Sequence, residues 1–355
     1  MKLLVTGGAG FIGSNFVHYV HRVMPDATVV TLDLLTYAGN LANLAVLEDS
    51  PRHRFVRGDV ADPKAVESIM RGGFDAVVHF AAESHVDRSI EDASAFVRTN
   101  VVGTQVLLDG ARHHGVSRFV HVSTDEVYGS LGREGRFRED SPLRPTSPYA
   151  ASKAAADLLV LAANRTYGFP AIVTRCSNNY GPYQFPEKII PLFITNALED
   201  APLPLYGDGL HVRDWIYVED HCAALHTILT GGRVGEIYNI GAGVELSNRE
   251  LTAAILKELG KPESLVRYVA DRPGHDRRYA IDATKLRGEL GWAPASTHGE
   301  CLAATVRWYQ DNRPWWEAVK KGAYRDYFER MYRVRLEAGG VEPPVTDGGA
   351  GAQGK

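Results

Sequence analysis

An α/β fold, with a doubly wound parallel sheet of the Rossmann type followed by a smaller, mixed α/β substrate domain, is what this 355-residue sequence predicts. Three observations carry the prediction. Short β-rich runs alternate with helix-length amphipathic stretches through the first half, which is the rhythm of βαβ units. Ala76-Val77-Val78-His79-Phe80 is almost unbroken in its apolar character, as a strand covered on both faces should be. Gly7-Gly8-Ala9-Gly10-Phe11-Ile12-Gly13 stands directly between the first strand and the first helix, where a dinucleotide-binding turn belongs.

The elements follow in order. Strands are expected over 2–6, 28–33, 54–58, 76–80, 118–123 and 171–175, and helices over 11–23, 63–70, 93–114 and 149–167. After about residue 178 Pro182, Pro186, Pro191, Pro202 and Pro204 break the chain into shorter pieces. Residues 214–218 and 236–240 read as strands around a helix over 218–229, so 216–240 is expected to return to the first domain. Helices follow over 247–259, 282–290 and 297–310. The domain expectation is therefore 1–178 for the nucleotide-binding unit. Residues 179–215 and 241–335 make the substrate unit, and 336–355 a disordered Gly/Pro-rich tail.

Composition excludes several classes. The chain is 45% hydrophobic and 23% charged, the profile of a folded soluble protein. A formal net charge of −4 with no long basic run provides no footprint for nucleic acid. The apolar runs are too short to span a membrane. Three widely spaced cysteines, Cys176, Cys222 and Cys301, suit a reducing compartment, and a cytoplasmic location is expected. The 35 glycines exceed the roughly 25 of average usage. Gly7, Gly8, Gly10 and Gly13 of the turn and six more in the 336–355 tail account for the surplus.

Glycines in the first turn let backbone N–H groups approach a pyrophosphate at the helix N-terminus. Asp33, twenty residues after Gly13, can accept both hydroxyls of an adenosine ribose and would repel a 2′-phosphate. No arginine lies within 34–38, so NAD is favoured over NADP. Asp59 and Val60 follow the third strand, where adenine would lie. Tyr149 and Lys153 are four apart and share one helical face; a nearby ammonium favours the phenolate, which makes Tyr149 a candidate base. Thr124 ends the fifth strand and can hydrogen-bond the reacting oxygen. Asp125 and Glu126 follow it, and two carboxyls in one pocket push their pKa values apart into an acid and a base. No metal-ligand spacing stands out among the histidines, and His79 reads as a strand core residue.

The sequence resembles the extended short-chain dehydrogenase/reductase family and, within it, the dTDP-glucose 4,6-dehydratases. The resemblance rests on Ala81-Ala82-Glu83-Ser84-His85-Val86-Asp87-Arg88-Ser89, Thr124-Asp125-Glu126-Val127-Tyr128-Gly129 and Cys176-Ser177-Asn178-Asn179-Tyr180-Gly181-Pro182-Tyr183. His211-Val212-Arg213-Asp214-Trp215 and Asp271-Arg272-Pro273-Gly274-His275-Asp276 complete the set, and the match spans about residues 1–330.

What the resemblance implies is a hydro-lyase with resident NAD, acting in deoxysugar biosynthesis. Tyr149 takes the 4-hydroxyl proton as hydride leaves C4 of the hexose for NAD, and the resulting ketone makes the C5 hydrogen acidic. Glu126 removes that proton while Asp125, protonated, helps the 6-hydroxyl leave as water. The hydride then returns to C6. The resemblance also places Gly7, Gly10, Phe11, Ile12, Gly13, Asp33, Leu34, Thr36, Asp59, Val60, Ala81, Ala82, Ser84, Thr99, Tyr149, Lys153 and Asn179 at the cofactor. It places Ser84, Thr124, Asn178, Lys188, Ile189, Pro204, Tyr206, Arg213, Asn248, Arg272 and His275 at the nucleotide sugar. Arginines at Arg213 and Arg272 suit a diphosphate independently, because guanidinium groups fork onto phosphate oxygens. The family commonly carries lysine where this chain has Leu34. A homodimer through the helices of 93–114 and 150–167 is a further implication.

Two other readings share parts of this pattern. A UDP-sugar 4-epimerase or decarboxylase would use the same Tyr/Lys pair and NAD but has no need of adjacent carboxylates after Thr124. A non-catalytic NAD-sensing protein would have no reason to keep Thr124, Tyr149, Lys153 and both carboxylates together.

Overall fold

The computed structural model describes residues 1–271 and 274–321. Seven parallel strands form the main sheet in the order β10-β6-β5-β4-β1-β2-β3. They are β1 (Lys2–Thr6), β2 (Thr28–Asp33), β3 (His53–Arg57), β4 (Ala76–His79), β5 (Arg118–Thr124), β6 (Ala171–Cys176) and β10 (Ile237–Ile240). Alternation along β1 shows why the sheet needs helices on both faces. Leu3 and Val5 pack into one core, Leu4 into the other, and all three are fully buried. The strand order turns back between β1 and β4, and a crevice opens beyond the carboxyl ends of strands at such a switch point.

Helix α1 (Phe11–Val23) and helix α2 (Pro63–Met70) have the bounds that the sequence predicts. Asp62 caps α2 by accepting from the Lys64 N–H, and Pro63 occupies the first turn, where a missing N–H costs nothing. A short α3 (Val86–Glu91) that the periodicity did not suggest follows β4. The helix expected over 93–114 is interrupted. It consists of α4 (Ser94–Phe96), a π-helical stretch over Val97–Val102, and α5 (Gly103–His113). Asn100, inside the π stretch, accepts from the Glu83 N–H at 2.9 Å. Its amide donates to the Glu83 carbonyl at 3.0 Å and to Ser152 Oγ at 2.8 Å. The widened turn thus ties the loop after β4 to helix α6 (Pro148–Tyr167).

His79 is 1% exposed and bridges Thr6 Oγ1 and Thr104 Oγ1 at 2.7 and 3.0 Å. It is a satisfied core residue, as expected.

The later chain builds two small sheets: β7 (Asn178–Tyr180), β9 (Val212–Tyr217) and β11 (Glu245–Ser247) in one, and β8 (Leu203–Tyr206) with β12 (Val266–Val269) in the other. The sequence reading began β9 two residues late and did not find β7, β8, β11 or β12, which are only three or four residues long. It also missed helix α7 (Ile189–Leu198), because Pro191 reads as a breaker; Pro191 in fact sits in the first turn, where it breaks no hydrogen bond. Helix α8 (Val218–Gly231) and β10 return to the main sheet, with Ile237 to Ile240 registered on Val173 to Cys176. Leu286 and Trp292 join that same core. A second core gathers Tyr180, Ile190, Phe193, Trp215, Ile255 and Trp316. Helix α9 (Asn248–Leu259) opens with a capping box between Ser247 and Glu250, and α10 (Thr284–Leu290), α11 (His298–Asp311) and α12 (Arg313–Lys320) complete the described chain. The tail expected over 336–355 lies outside the described residues. None of the described helices is long and apolar enough to cross a membrane.

Candidate active site

Two cavities, of about 300 and 140 Å³, meet beyond the carboxyl ends of β1, β4 and β5. The larger is lined by the glycine turn, Asp33, Leu34, Thr36, Asp59, Val60, Ala81, Ala82, Ser84, Thr99, Tyr149, Lys153 and Asn179. Every cofactor position expected from the sequence faces it. Thr124, Asp125 and Glu126 line it as well. Ile189, Pro204, Tyr206, Arg213, Asn248 and His275 line the smaller cavity. Glu126, Asn178, Glu187 and Lys188 line both. Arg272 lies outside the described residues.

The glycine turn is shaped for a close ligand. Gly7 has φ +70°, and a Cβ there would lie 2.6 Å from the Ala81 nitrogen. A Cβ on Gly13 would lie 2.2 Å from the Gly7 carbonyl oxygen, so α1 can pack this closely only with glycine. Gly10 caps α1 with no side chain in the way, which leaves the first N–H groups of a 13-residue helix open to an anion. Asp33 accepts from the Ala9 N–H at 3.0 Å through one oxygen and from the Leu35 N–H at 2.8 Å through the other. Each oxygen keeps a lone pair for a ribose hydroxyl. This cradle fits a dinucleotide. Asp59 is already engaged: Oδ1 accepts from the Ala61 N–H at 2.8 Å and Oδ2 pairs with Arg98 at 2.6 Å. Arg98 was not apparent in the sequence, since only the helix brings it to Asp59.

We expect Gly13→Ala to lose cofactor. Forcing a methyl against backbone costs about 1–3 kcal/mol. Nucleotide extracted from the purified variant should fall well below one equivalent per chain; full occupancy would show that the turn tolerates the methyl.

The reacting end is buried. Tyr149 is 8% and Lys153 3% exposed, on the α6 face turned toward β5. Lys153 Nζ donates to the Val122 carbonyl at 2.9 Å, and burial pulls its pKa down to about 8. The Tyr149 phenol is pushed well above its ordinary value, first by burial and then by the charge of Glu126, while a hydrogen bond with Thr124 opposes the rise. The sequence expectation that a nearby ammonium favours the phenolate is not met in the protein by itself, because burial and the charge of Glu126 raise the phenol.

Asp125, 2% exposed, is raised well above the carboxylate range by burial and by the charges of Glu126 and Asp214. Its Oδ2 is buried with no hydrogen-bond partner among the described residues, and Thr124 Oγ1 lies 3.3 Å from Oδ1. A carboxyl raised in this way beside a second one is the asymmetry that an acid and a base side by side require.

In the second cavity Arg213 stacks over the Tyr279 ring at 4.3 Å and donates to the Asp276 carbonyl at 2.9 Å. Lys188 Nζ donates to the Ser84 carbonyl at 3.2 Å, which joins the two cavities' walls. His211, Asp271 and His275 cluster, a grouping that the sequence spacing did not show. Asp271 reaches His211 at 3.2 Å and His275 at 2.6 Å. The two imidazoles stack 3.7 Å apart and nearly parallel, so their in-plane lone pairs run side by side rather than converging on one point.

A glycine turn at the switch point, an aspartate ending β2 and a buried Tyr/Lys pair define the class: an extended short-chain dehydrogenase/reductase that carries NAD. Comparison with known proteins narrows it. Residues 4–305 match the family model described as GDP-mannose 4,6 dehydratase. The chain is 55% identical over 324 residues to a dTDP-glucose 4,6-dehydratase of Streptomyces niveus, covering 90% of this chain and 96% of that one. It is 57% identical over 326 residues to one of Streptomyces antibioticus, with the same coverage. The structure of DesIV, a dTDP-glucose 4,6-dehydratase from Streptomyces venezuelae solved with NAD bound, superposes with a TM-score of 0.88 at 57% identity, over 90% of this chain and all of that one. A Thermus thermophilus UDP-glucose 4-epimerase shares the fold at a TM-score of 0.81 but only 34% identity, over 88% of this chain and 100% of that one. The chain belongs to the dTDP-glucose 4,6-dehydratase family.

Proposed function

We propose that this protein converts dTDP-glucose to dTDP-4-keto-6-deoxy-glucose with NAD held in the larger cavity. The observation that carries the reading is the buried Asp125 beside Glu126 at the end of β5, facing Tyr149. An epimerase eliminates no 6-hydroxyl and so has no use for the pair.

NAD held by the glycine turn and Asp33 would supply a hydride acceptor for C4 and a donor for C6. The positive charge of its oxidised ring would favour loss of the Tyr149 phenol proton, which the protein alone disfavours. Tyr149 then takes the 4-hydroxyl proton, and Thr124 steadies the same oxygen through its hydroxyl. The C4 ketone acidifies C5–H enough for a carboxylate, and Glu126 removes that proton. Asp125 donates its proton to the departing 6-hydroxyl, so water leaves neutral and the C5–C6 double bond forms. Reduction at C6 with protonation at C5 closes the cycle.

Lys188, Asn178, Arg213 and His275 are assigned to the nucleotide sugar, with the diphosphate on the cationic groups and the base beside Pro204 and Tyr206. Incubation with dTDP-glucose and no added NAD should yield the 4-keto-6-deoxy product, read by mass spectrometry. Turnover of UDP-galactose alone would favour an epimerase, and no keto product from any hexose nucleotide would overturn the reading.

The protein is assigned as a cytoplasmic homodimer. Val97 and Val102, in and at the end of the π stretch, are 50% and 46% exposed, and Leu158 on α6 is 58% exposed. A monomer leaves these apolar side chains in water. Sedimentation should give a dimer, and Leu158→Glu should shift it toward monomer; an unchanged dimer would place the interface elsewhere.

A further inference from the structure

The cofactor of this reaction must stay in place while the hydride is parked on it, since release in mid-cycle would strand the keto intermediate. Two loops that carry none of Thr124, Asp125, Glu126, Tyr149 and Lys153 wall the dinucleotide cavity. The first follows β2 and contributes Leu34, Thr36, Ala38 and Gly39 to the lining; the second precedes α7 and contributes Gln184, Phe185, Glu187 and Lys188. They come from positions 150 residues apart, and they touch.

The contact is built around Tyr37. Leu35 takes a left-handed φ of 59°, held by its N–H on Asp33 Oδ1, and this turn carries Tyr37 toward the second loop. The Tyr37 hydroxyl donates to Glu187 Oε1 at 3.1 Å. Its ring meets Phe185 edge-on at 5.6 Å, and the Arg88 guanidinium lies over it at 3.8 Å. Burial and the Glu187 charge push the phenol well above its ordinary value, so Tyr37 stays a donor. Glu187 is 4% exposed. Its Oε2 accepts no hydrogen bond from the described residues and lies 3.8 Å from His85 Nε2 and 3.9 Å from Arg88 Nε. A buried carboxylate kept in this setting needs a reason, because its desolvation is costly.

We propose that Tyr37 and Glu187 form a latch that closes the dinucleotide cavity and retains the cofactor through the catalytic cycle. The proposal rests on the NAD-dependent reading above. With the hydrogen bond made, the loop on the ribose side of Asp33 is tied to the segment that carries Lys188, and the dinucleotide cannot leave until both move. Glu187 is also one of the four residues lining both cavities, so the latch sits where the sugar and cofactor sites join. Neither residue touches a reacting atom; both act by position.

The test is exchange of labelled NAD from the holoenzyme into an excess of unlabelled NAD, with no sugar present. Burial raises Glu187 to about 7, so the bond does not depend on a full charge, and Tyr37→Phe and Glu187→Leu should each speed release about tenfold, the loss of one buried hydrogen bond. Glu187→Gln, whose amide oxygen still accepts from Tyr37, should stay within about threefold of the wild type. Circular dichroism and thermal unfolding of Tyr37→Phe, which keeps the ring, establish that the fold is retained should Glu187→Leu fail to fold. Release from Tyr37→Phe within about threefold of the wild type, or from Glu187→Gln as fast as from Glu187→Leu, would overturn the latch. The wild type's conversion of dTDP-glucose is read separately. Slow release without conversion would defeat the functional reading and leave the latch, whereas conversion with unchanged release in the variants would do the reverse.

Discussion

Glu126→Gln mixed with dTDP-glucose should reduce its bound cofactor and stop. The amide has the size of the carboxylate and still lines both cavities, so the sugar binds and C4 is oxidised. It cannot take the C5 proton. Reduced nicotinamide therefore accumulates and its absorbance persists, while overall turnover falls by a factor on the order of 10²–10⁴, the usual contribution of a general base. The geometry adds a second consequence. Glu126 charge is among the causes that raise both Asp125 and Tyr149, so removing it eases deprotonation of each. The oxidation half of the reaction should be no slower in the variant, and its pH profile should move to lower pH, because a lowered Tyr149 pKa makes the base available sooner. Wild-type turnover by Glu126→Gln would mean that another group takes the C5 proton.

Tyr149→Phe should fail one step earlier. The ring packs edge-on against Phe96 at 6.3 Å and is almost wholly buried, so removal of the hydroxyl leaves the packing intact and the protein folded. No group remains to take the 4-hydroxyl proton. Turnover should fall by a factor on the order of 10²–10⁴, and no reduced nicotinamide should appear on mixing. The contrast separates the two variants: Glu126→Gln stalls with the cofactor reduced, Tyr149→Phe with it oxidised. Appearance of reduced cofactor in Tyr149→Phe would transfer the first proton to Thr124 or Lys153.

The parts of the site that sequence made legible are those where chemistry and local geometry use the same few residues. Gly7, Gly10 and Gly13 form a turn whose backbone requirements are strictly local, and Asp33 closes its own strand. Tyr149 and Lys153 share a helical face by spacing alone. Thr124, Asp125 and Glu126 are consecutive. Asn178 and Lys188 became legible only through the family motifs, which also single out Arg213 from the other arginines. Tyr37, Arg98, Asn100 and Glu187 stayed hidden because each acts on a residue far along the chain. Glu187 meets Tyr37 across 150 positions and Asn100 meets Ser152 across 52. The π stretch was hidden too, since one extra residue in a turn barely disturbs an apolar stripe.

By itself, then, the sequence determined the βαβ framework, the dinucleotide turn, the preference for NAD that follows from Asp33, and the carboxylate pair and tyrosine that line the cavity. Those features depend on hydrophobic period and on neighbours within a turn or two. Only the tertiary structure decided their ionisation. Burial and two converging carboxylates raise Asp125 well above the carboxylate range, and burial with the charge of Glu126 raises the Tyr149 phenol well above its ordinary value. Tertiary structure also decided which walls meet around the cofactor. Desolvation and long-range contact are properties of the packed chain, and no local spacing records them.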